Sequence, residues 1–122
     1  MSKKHQLGKI AAECAARRSP LLRFKTGCAF VRDGDLLSMG WSHRCNFILD
    51  ETPWSKHAEL HGAQRARWDV EGSTCYVVTL SKRGNKTCGR PCDEACYPLL
   101  RRLGVSKVLW SMPDERWVEE FV

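Results

Sequence analysis

Two short motifs, far apart along the chain, constrain its fold more than any other feature. The first is His57-Ala58-Glu59, and the second is Pro91-Cys92, followed by Cys96. Imidazole and thiolate groups bind metal ions, and proline favours the first turn of a helix. If these side chains bind one ion, the starts of two helices must meet in space. The fold must therefore bring both helix starts to one edge of a common core.

The spacing of the two cysteines leaves the ligand set open. Three residues separate Cys92 from Cys96, and side chains four apart lie on one face of a helix. The extra residue predicts an irregular or bulged first turn. Cys88, in the loop before Cys92, is the alternative second thiolate. We prefer Cys96, because Pro91 marks a helix start and a helix N-terminus stabilises thiolates.

Glu59 is the carboxylate that this pattern leaves without a metal. A zinc ion with three protein ligands and one open position lowers the pKa of its bound water to about 7. A carboxylate beside that position can accept a proton and pass it to a substrate. We therefore predict His57, Cys92 and Cys96 as zinc ligands and Glu59 as the catalytic proton carrier. A site through His61 is disfavoured, because H-E-x-x-H requires glutamate directly after the first histidine.

The rest of the sequence predicts one domain over residues 1–122. An amphipathic helix comes first, with Leu7, Ile10, Ala11 and Cys14 on its apolar side. The elements follow the order α-β-β-α-β-α-β, with a short C-terminal segment over Glu115–Phe121 that is at most a helix. The predicted strands are Thr26–Arg32, Leu36–Trp41, Cys75–Leu80 and Val105–Ser111, and the later helices run from the first motif to about Trp68 and over Cys92–Leu103. Strands linked through helices indicate an α/β layered sandwich.

These motifs, in this order, resemble those of the cytidine deaminase-like superfamily. The resemblance extends from the first helix to the fourth strand, and its specific part is His57-Ala58-Glu59 with Pro91-Cys92. It implies a three-layer α/β/α sandwich of the cytidine deaminase type, with zinc on His57, Cys92 and Cys96 and proton transfer by Glu59. Two departures stand out. The cysteine spacing is one residue longer than the family pattern, and the sequence indicates no fifth strand where many relatives have one.

Three further residues are predicted to contact the substrate. Family members often place an asparagine at the position of Asn46 to hydrogen-bond the sugar or base, although a turn residue is the alternative. Trp54, in the loop before the first motif, could stack on a base or line an interface. Arg90 belongs to a basic loop that suits a phosphate-bearing substrate. The basic residues of this loop are Lys82, Arg83, Lys86 and Arg90.

These observations favour a zinc-dependent hydrolytic deaminase of a cytosine nucleotide such as dCMP, releasing ammonia. The alternatives are a deaminase of single-stranded nucleic acid or tRNA, with which the net charge of +6 is compatible, and a non-catalytic zinc-stabilised binding module. The sequence has no secretory or membrane-spanning segment, and its seven cysteines fit a reduced compartment, so we expect a cytoplasmic protein. A small domain with a truncated sheet edge predicts a homo-oligomer, and the absence of a long apolar run predicts no membrane partner.

Overall fold

The computed structural model describes residues 3–44 and 55–122, which form a mixed β-sheet with helices on both faces. The helices are α1 (Gln6–Arg18), α2 (Ala58–Arg65) and α3 (Cys96–Arg102). The strands are β1 (Lys25–Arg32), β2 (Asp35–Trp41), β3 (His43–Arg44), β4 (Ser55–Lys56), β5 (Thr74–Leu80), β6 (Lys86–Thr87), β7 (Lys107–Ser111) and β8 (Trp117–Phe121). Single 3-10 turns occupy Lys3–His5 and Pro113–Glu115.

The main sheet has the strand order β2-β1-β5-β7-β8. Neighbouring strands are antiparallel except for β5 and β7, which are parallel and are linked through α3. β6 pairs with the end of β5, and β3 and β4 form a separate two-stranded ladder. The first two predicted strands are present as β1 and β2, and they form a hairpin. Asp33 and Gly34 both have positive φ angles, 52° and 82°, as a two-residue type I′ turn requires.

Alternate residues of β1 point into two separate cores. Cys28 and Phe30 pack with residues of α2 and α3, whereas Ala29 and Val31 pack with residues of α1. This alternation follows from the two-residue period of a strand, and both faces of the sheet are therefore covered. The predicted three-layer α/β/α sandwich is confirmed.

The buried side of α1 differs from the prediction. Leu7 and Ile10 are 43% and 56% exposed, and Cys14 is exposed as well. The face against the sheet instead consists of small residues: Gly8, Ala11, Ala12, Ala15 and Ala16. The cause is close packing at Gly27 of β1, where a Cβ atom would overlap the backbone of Ala12 and Ala16. Only small side chains fit between the helix and the sheet at this distance.

The C-terminal segment is a strand, so the prediction of at most a short helix is wrong. β8 runs antiparallel to β7, with Leu109 opposite Glu119 and Trp110 opposite Val118. Without β8, the edge of β7 would present unpaired backbone N–H and C=O groups. The chain therefore has the fifth strand of the main sheet that the sequence did not indicate.

Candidate metal centre

His57 lies between the two-stranded β3–β4 ladder and the first turn of α2. Its backbone is extended (φ −73°, ψ 150°), and it is the N-cap residue of the helix. The helix start is seated on β2 through Gly40, where a Cβ atom would overlap the Ala58 carbonyl oxygen and the Gly62 nitrogen. The Cys28 thiol also donates a hydrogen bond to the Ala58 carbonyl oxygen (3.0 Å). These contacts fix the backbone of Ala58, the residue between His57 and Glu59.

Cys92 and Cys96 lie on either side of a wide turn that precedes α3. The sequence predicts a helix from Cys92, but residues 93–95 form a turn and the helix begins at Cys96. The Tyr97 N–H donates to the Cys92 carbonyl oxygen (2.9 Å), which closes a turn of π-helix width. The Cys96 N–H points to the Cys92 sulfur (3.3 Å). The extra residue is thus accommodated in the irregular turn that the spacing indicates.

The loop before Cys92 is held to the ends of the central strands by Ser111. Its hydroxyl donates to the Thr87 carbonyl oxygen (2.7 Å) and accepts from the Thr79 N–H (3.2 Å). Its carbonyl oxygen accepts from the N–H of buried Gly89 (2.9 Å). The second motif is therefore anchored to the same sheet edge at which α2 begins.

The structure brings the three predicted ligands together. The His57 Nδ1 atom is 3.0 Å from the Cys96 sulfur and 3.8 Å from the Cys92 sulfur. All three donor atoms lie within 4.8 Å of one another, and within residues 3–44 and 55–122 no other group of three His, Cys, Asp or Glu converges in this way. Donors around tetrahedral zinc lie about 3.3–3.8 Å apart, given bond lengths near 2.0–2.3 Å. One imidazole and two thiolates therefore suit zinc in chemistry, and the two distances from the imidazole nitrogen, 3.0 and 3.8 Å, lie at or close to this range. Cys88 is exposed and lies outside this group.

Glu59 is buried next to the donor cluster, with 3% of its surface exposed. Burial raises the pKa of its carboxyl group, whereas hydrogen bonds from its own backbone N–H and the Cys96 thiol, and the charge of His57, act in the opposite direction. Burial and the neighbouring Glu59 and Cys92 raise the pKa of the Cys96 thiol. A divalent cation among these groups would lower the pKa of both side chains, because it stabilises thiolates and carboxylates.

A cavity of about 250 Å³ opens beside the cluster. Four of its lining residues are expected from the sequence: His57, Glu59, Arg90 and Cys92. The others include Phe24, Thr26, Ser42 and Thr79, which the sequence did not indicate. The one sequence feature that could have indicated any of these four residues is that Thr26 and Thr79 are polar and lie at the ends of apolar strands.

The hydroxyl groups of the cavity form a connected network. The Thr26 and Thr79 side chains hydrogen-bond each other (2.9 Å) across the β1–β5 register, in which the two residues are partners. The Thr26 N–H donates to the Ser42 hydroxyl (3.1 Å), which also lies 3.0 Å from the Ser19 hydroxyl. The cavity wall formed by Thr26, Ser42 and Thr79 is therefore polar, and hydrogen bonds hold these side chains in place.

Arg90 lines the cavity, as the prediction requires, but its guanidinium group already has partners. It forms an ion pair with Asp93 (2.7 Å) and lies over the rings of Tyr97 (5.2 Å) and Trp110 (5.7 Å). Asn46 and Trp54, the other two predicted substrate contacts, lie outside the described residues. In the part of the chain that the structure describes, every helix is too short or too polar to cross a bilayer.

Comparison with known families and proteins agrees with this geometry. The family model described as "Cytidine and deoxycytidylate deaminase zinc-binding region" matches residues 1–112. Riboflavin biosynthesis protein RibD of Escherichia coli is 32% identical over 88 residues, which are 72% of this chain. The matched region is 20% of RibD, so this chain corresponds to about a fifth of that relative.

Solved structures share the fold. The dCMP deaminase of cyanophage S-TIM5 superposes with a TM-score of 0.70 at 21% identity, covering 94% of this chain and 88% of that one. Cytidine deaminase from Burkholderia pseudomallei gives a TM-score of 0.71 at 21% identity, covering 99% and 93%. RibD from Acinetobacter baumannii gives 0.64 at 25% identity, covering 92% of this chain and 29% of that protein.

Proposed function

The chain belongs to the cytidine and deoxycytidylate deaminase zinc-binding family, and we propose that it is a zinc-dependent hydrolytic deaminase of a cytosine nucleotide. The observation that carries this proposal is the position of Glu59. Its buried carboxylate lines the same cavity as His57 and Cys92, yet it lies outside the converging donor set. An unligated carboxylate beside three metal donors is the arrangement that hydrolytic deamination requires.

In this proposal the cavity is the place of reaction, and His57, Cys92 and Cys96 hold the metal. Zinc with three protein ligands and an open fourth position lowers the pKa of a water molecule there to about 7. His57 and Cys92 line the cavity and Cys96 is buried, so a metal held by these three residues would supply its activated water beside the cavity.

Glu59 would carry the proton through the reaction. Its carboxylate takes a proton from the attacking water and delivers it to ring nitrogen N3 as the oxygen bonds to C4. The oxygen now bonded to C4 then gives up its remaining proton, which Glu59 passes to the exocyclic nitrogen; the C4–N bond breaks, and cytosine plus water becomes uracil plus ammonia. A glutamine at this position could not accept the proton.

The remaining cavity residues would orient the nucleotide. The hydroxyl groups of Thr26, Ser42 and Thr79 can hydrogen-bond the base or sugar, and Phe24 offers an aromatic surface. We also propose Asn46 and Trp54 as substrate contacts, on the grounds of their sequence positions, and Arg90 as a phosphate contact that Asp93 holds in place. Cytoplasmic location and self-association remain predictions from the sequence.

The proposal is tested by substituting Glu59→Gln in zinc-loaded protein. We expect zinc content to stay at one per chain while ammonia release from dCMP falls at least a hundredfold, since general acid–base groups contribute about 10²–10⁴. Glu94→Gln is the matched control, because Glu94 is an exposed carboxylate in the turn beside Cys96. Full activity of Glu59→Gln would contradict the proton role. Zinc binding without deamination of any substrate would favour the non-catalytic binding module.

A second substrate is favoured by the sequence identity to RibD. A solved relative from Thermotoga maritima is named as a diaminohydroxyphosphoribosylaminopyrimidine deaminase, so its substrate is an aminopyrimidine that also bears a phosphorylated pentose. E. coli RibD, to which this chain is 32% identical, is named for riboflavin biosynthesis, and we take the compound named for the Thermotoga maritima protein as the alternative to a cytosine nucleotide. A product-mass assay with each compound in turn decides between them. Deamination replaces one amino group with one oxygen, so the compound whose mass changes is the substrate.

A further inference from the structure

A second open groove adjoins the catalytic cavity, and Phe24 lines both. The groove has a volume of about 470 Å³ and is lined by Arg23, Phe24, Ser81, Lys82 and Arg83. Phe24 is 57% exposed, although aromatic side chains usually bury most of their surface. An exposed ring at the boundary of two cavities can stack on a ligand that extends from one into the other.

Among the residues that the structure describes, the cations of this groove lack acidic partners. In residues 3–44 and 55–122, no carboxylate forms an ion pair with Arg23, Lys82 or Arg83. By contrast, Lys86 of the same hairpin is held by Glu13 (3.1 Å) and Glu115 (2.6 Å). The positive charge of the groove is therefore available to an anion from outside the chain.

Two of these cations are presented by a rigid turn. The Gly84 N–H donates to the Ser81 carbonyl oxygen (2.9 Å), which places Lys82 and Arg83 at the two central positions. The Ser81 N–H donates to the Asn85 carbonyl oxygen (2.8 Å), and the Ser81 hydroxyl accepts from the Asn85 N–H (3.2 Å). The backbone under both cations is thus ordered before any ligand binds, which reduces the entropic cost of binding.

We propose that this groove binds the nucleotide next to the target cytosine in a single-stranded nucleic acid. The base of that neighbour stacks on Phe24, and the linking phosphates contact Arg23, Lys82 and Arg83. An aromatic surface with unpaired cations is the combination that single-strand binding proteins use. A mononucleotide in the cavity would leave the second groove without a ligand. The inference rests on the proposed deaminase function and names the form of its substrate.

The test compares dCMP with trinucleotides that contain a central cytosine, in deoxy and ribo form. We expect at least one trinucleotide to be deaminated with a kcat/KM about tenfold or more above that of dCMP. The double variant Lys82→Ala/Arg83→Ala should remove most of this advantage and leave kcat/KM for dCMP within about twofold. Because Phe24 also lines the catalytic cavity, Phe24→Ala should lower kcat/KM for the trinucleotides more than for dCMP. The double variant should also lower the slope of log affinity against log salt by about 0.7 for each lost phosphate contact.

The matched control is Arg102→Ala/Arg116→Ala, which removes two exposed arginines that line neither cavity. It should behave as wild type with every substrate. Equal kcat/KM for dCMP and the trinucleotides would overturn the inference, and so would an equal loss on dCMP and the trinucleotides in the Phe24 or Lys82/Arg83 variants. If no substrate is deaminated, the proposed function fails. The groove is then tested by fluorescence anisotropy with labelled trinucleotide, where unchanged affinity of both variants would overturn it.

Discussion

The backbone N–H of Tyr97 donates a hydrogen bond to the carbonyl oxygen of Cys92, five residues earlier in the chain. This bond spans one residue more than an α-helical hydrogen bond does. It encloses the additional residue between the two cysteines and still leaves both sulfur atoms close to the imidazole of His57. The longer cysteine spacing is therefore compatible with the metal centre because of one local turn.

Deletion of Glu94 should leave the metal centre intact. Glu94 is exposed within the wide turn. Its removal leaves two residues between the cysteines, and side chains at positions i and i+3 still share a helix face. Insertion of one alanine after Glu94 should lower zinc affinity at least tenfold, because it rotates Cys96 by roughly another 100°. Chelator competition measures both variants. Equal affinity of the insertion variant and wild type would contradict a metal centre built on this turn.

Cys96→Ser should bind zinc much more weakly than wild type, whereas Cys88→Ser should not. The Cys96 sulfur lies 3.0 Å from His57 Nδ1, and the exposed Cys88 is outside the donor group. Elemental analysis after gel filtration should find less than one zinc per chain for Cys96→Ser and one for Cys88→Ser. The reverse result would make Cys88 the second thiolate ligand.

The site residues were predictable from the sequence to the extent that they lie in local motifs. His57, Glu59 and Cys92 are recognisable because metal chemistry restricts residue type and spacing over a few positions. Thr26 and Thr79 were not predicted, because a hydroxyl group at a strand end has the same local pattern whether it faces solvent or a cavity. Their pairing is visible only once β1 and β5 are in register.

The fold was predictable where short-range geometry decides it. The Asp33-Gly34 turn indicates the β1–β2 hairpin, because both positions tolerate positive φ. The buried face of α1 depends instead on Gly27 of β1, whose lack of a side chain lets the helix pack closely. Hydrophobicity alone placed Ile10 on the buried face, whereas Ile10 is exposed. The pairing of β8 with β7 likewise depends on which strand edge is left open.

Gly40→Ala should destabilise the protein and weaken its metal centre together. A Cβ atom at Gly40 would overlap the backbone of Ala58 and Gly62, so α2 must shift and carry His57 and Glu59 with it. We expect unfolding free energy to fall by about 1–3 kcal/mol, with zinc affinity reduced as well. Gly27→Ala is the matched comparison, since it overlaps α1, which lines no part of the catalytic cavity. Denaturant unfolding and zinc titration should separate the two variants: both lose stability, but only Gly40→Ala loses zinc affinity.

Glu13 should make the stability of the protein depend on pH in the acidic range. Its carboxylate joins α1 to β6 through Lys86 (3.1 Å) and also pairs with Arg17 (3.1 Å). Partial burial acts to raise the pKa of Glu13, but hydrogen bonds from Lys86 and Arg17 outweigh it, so the pKa lies below its ordinary value of 4.5. The folded state then holds this proton less tightly than the unfolded state. The stabilisation is complete above pH 4.5 and is lost as pH falls through the lower folded pKa.

The variant Glu13→Gln isolates this contribution, because acid loss of zinc affects it and wild type alike. At pH 6 the variant should be less stable than wild type by up to about 1 kcal/mol, as expected of a partly exposed ion pair. At pH 3 the difference should be smaller, because the wild-type carboxyl takes up its proton as pH falls toward and below its lowered folded pKa. Chemical unfolding at both pH values measures the two differences. A constant difference between pH 6 and pH 3 would mean that Glu13 stabilises the α1–β6 contact through packing and not through its charge.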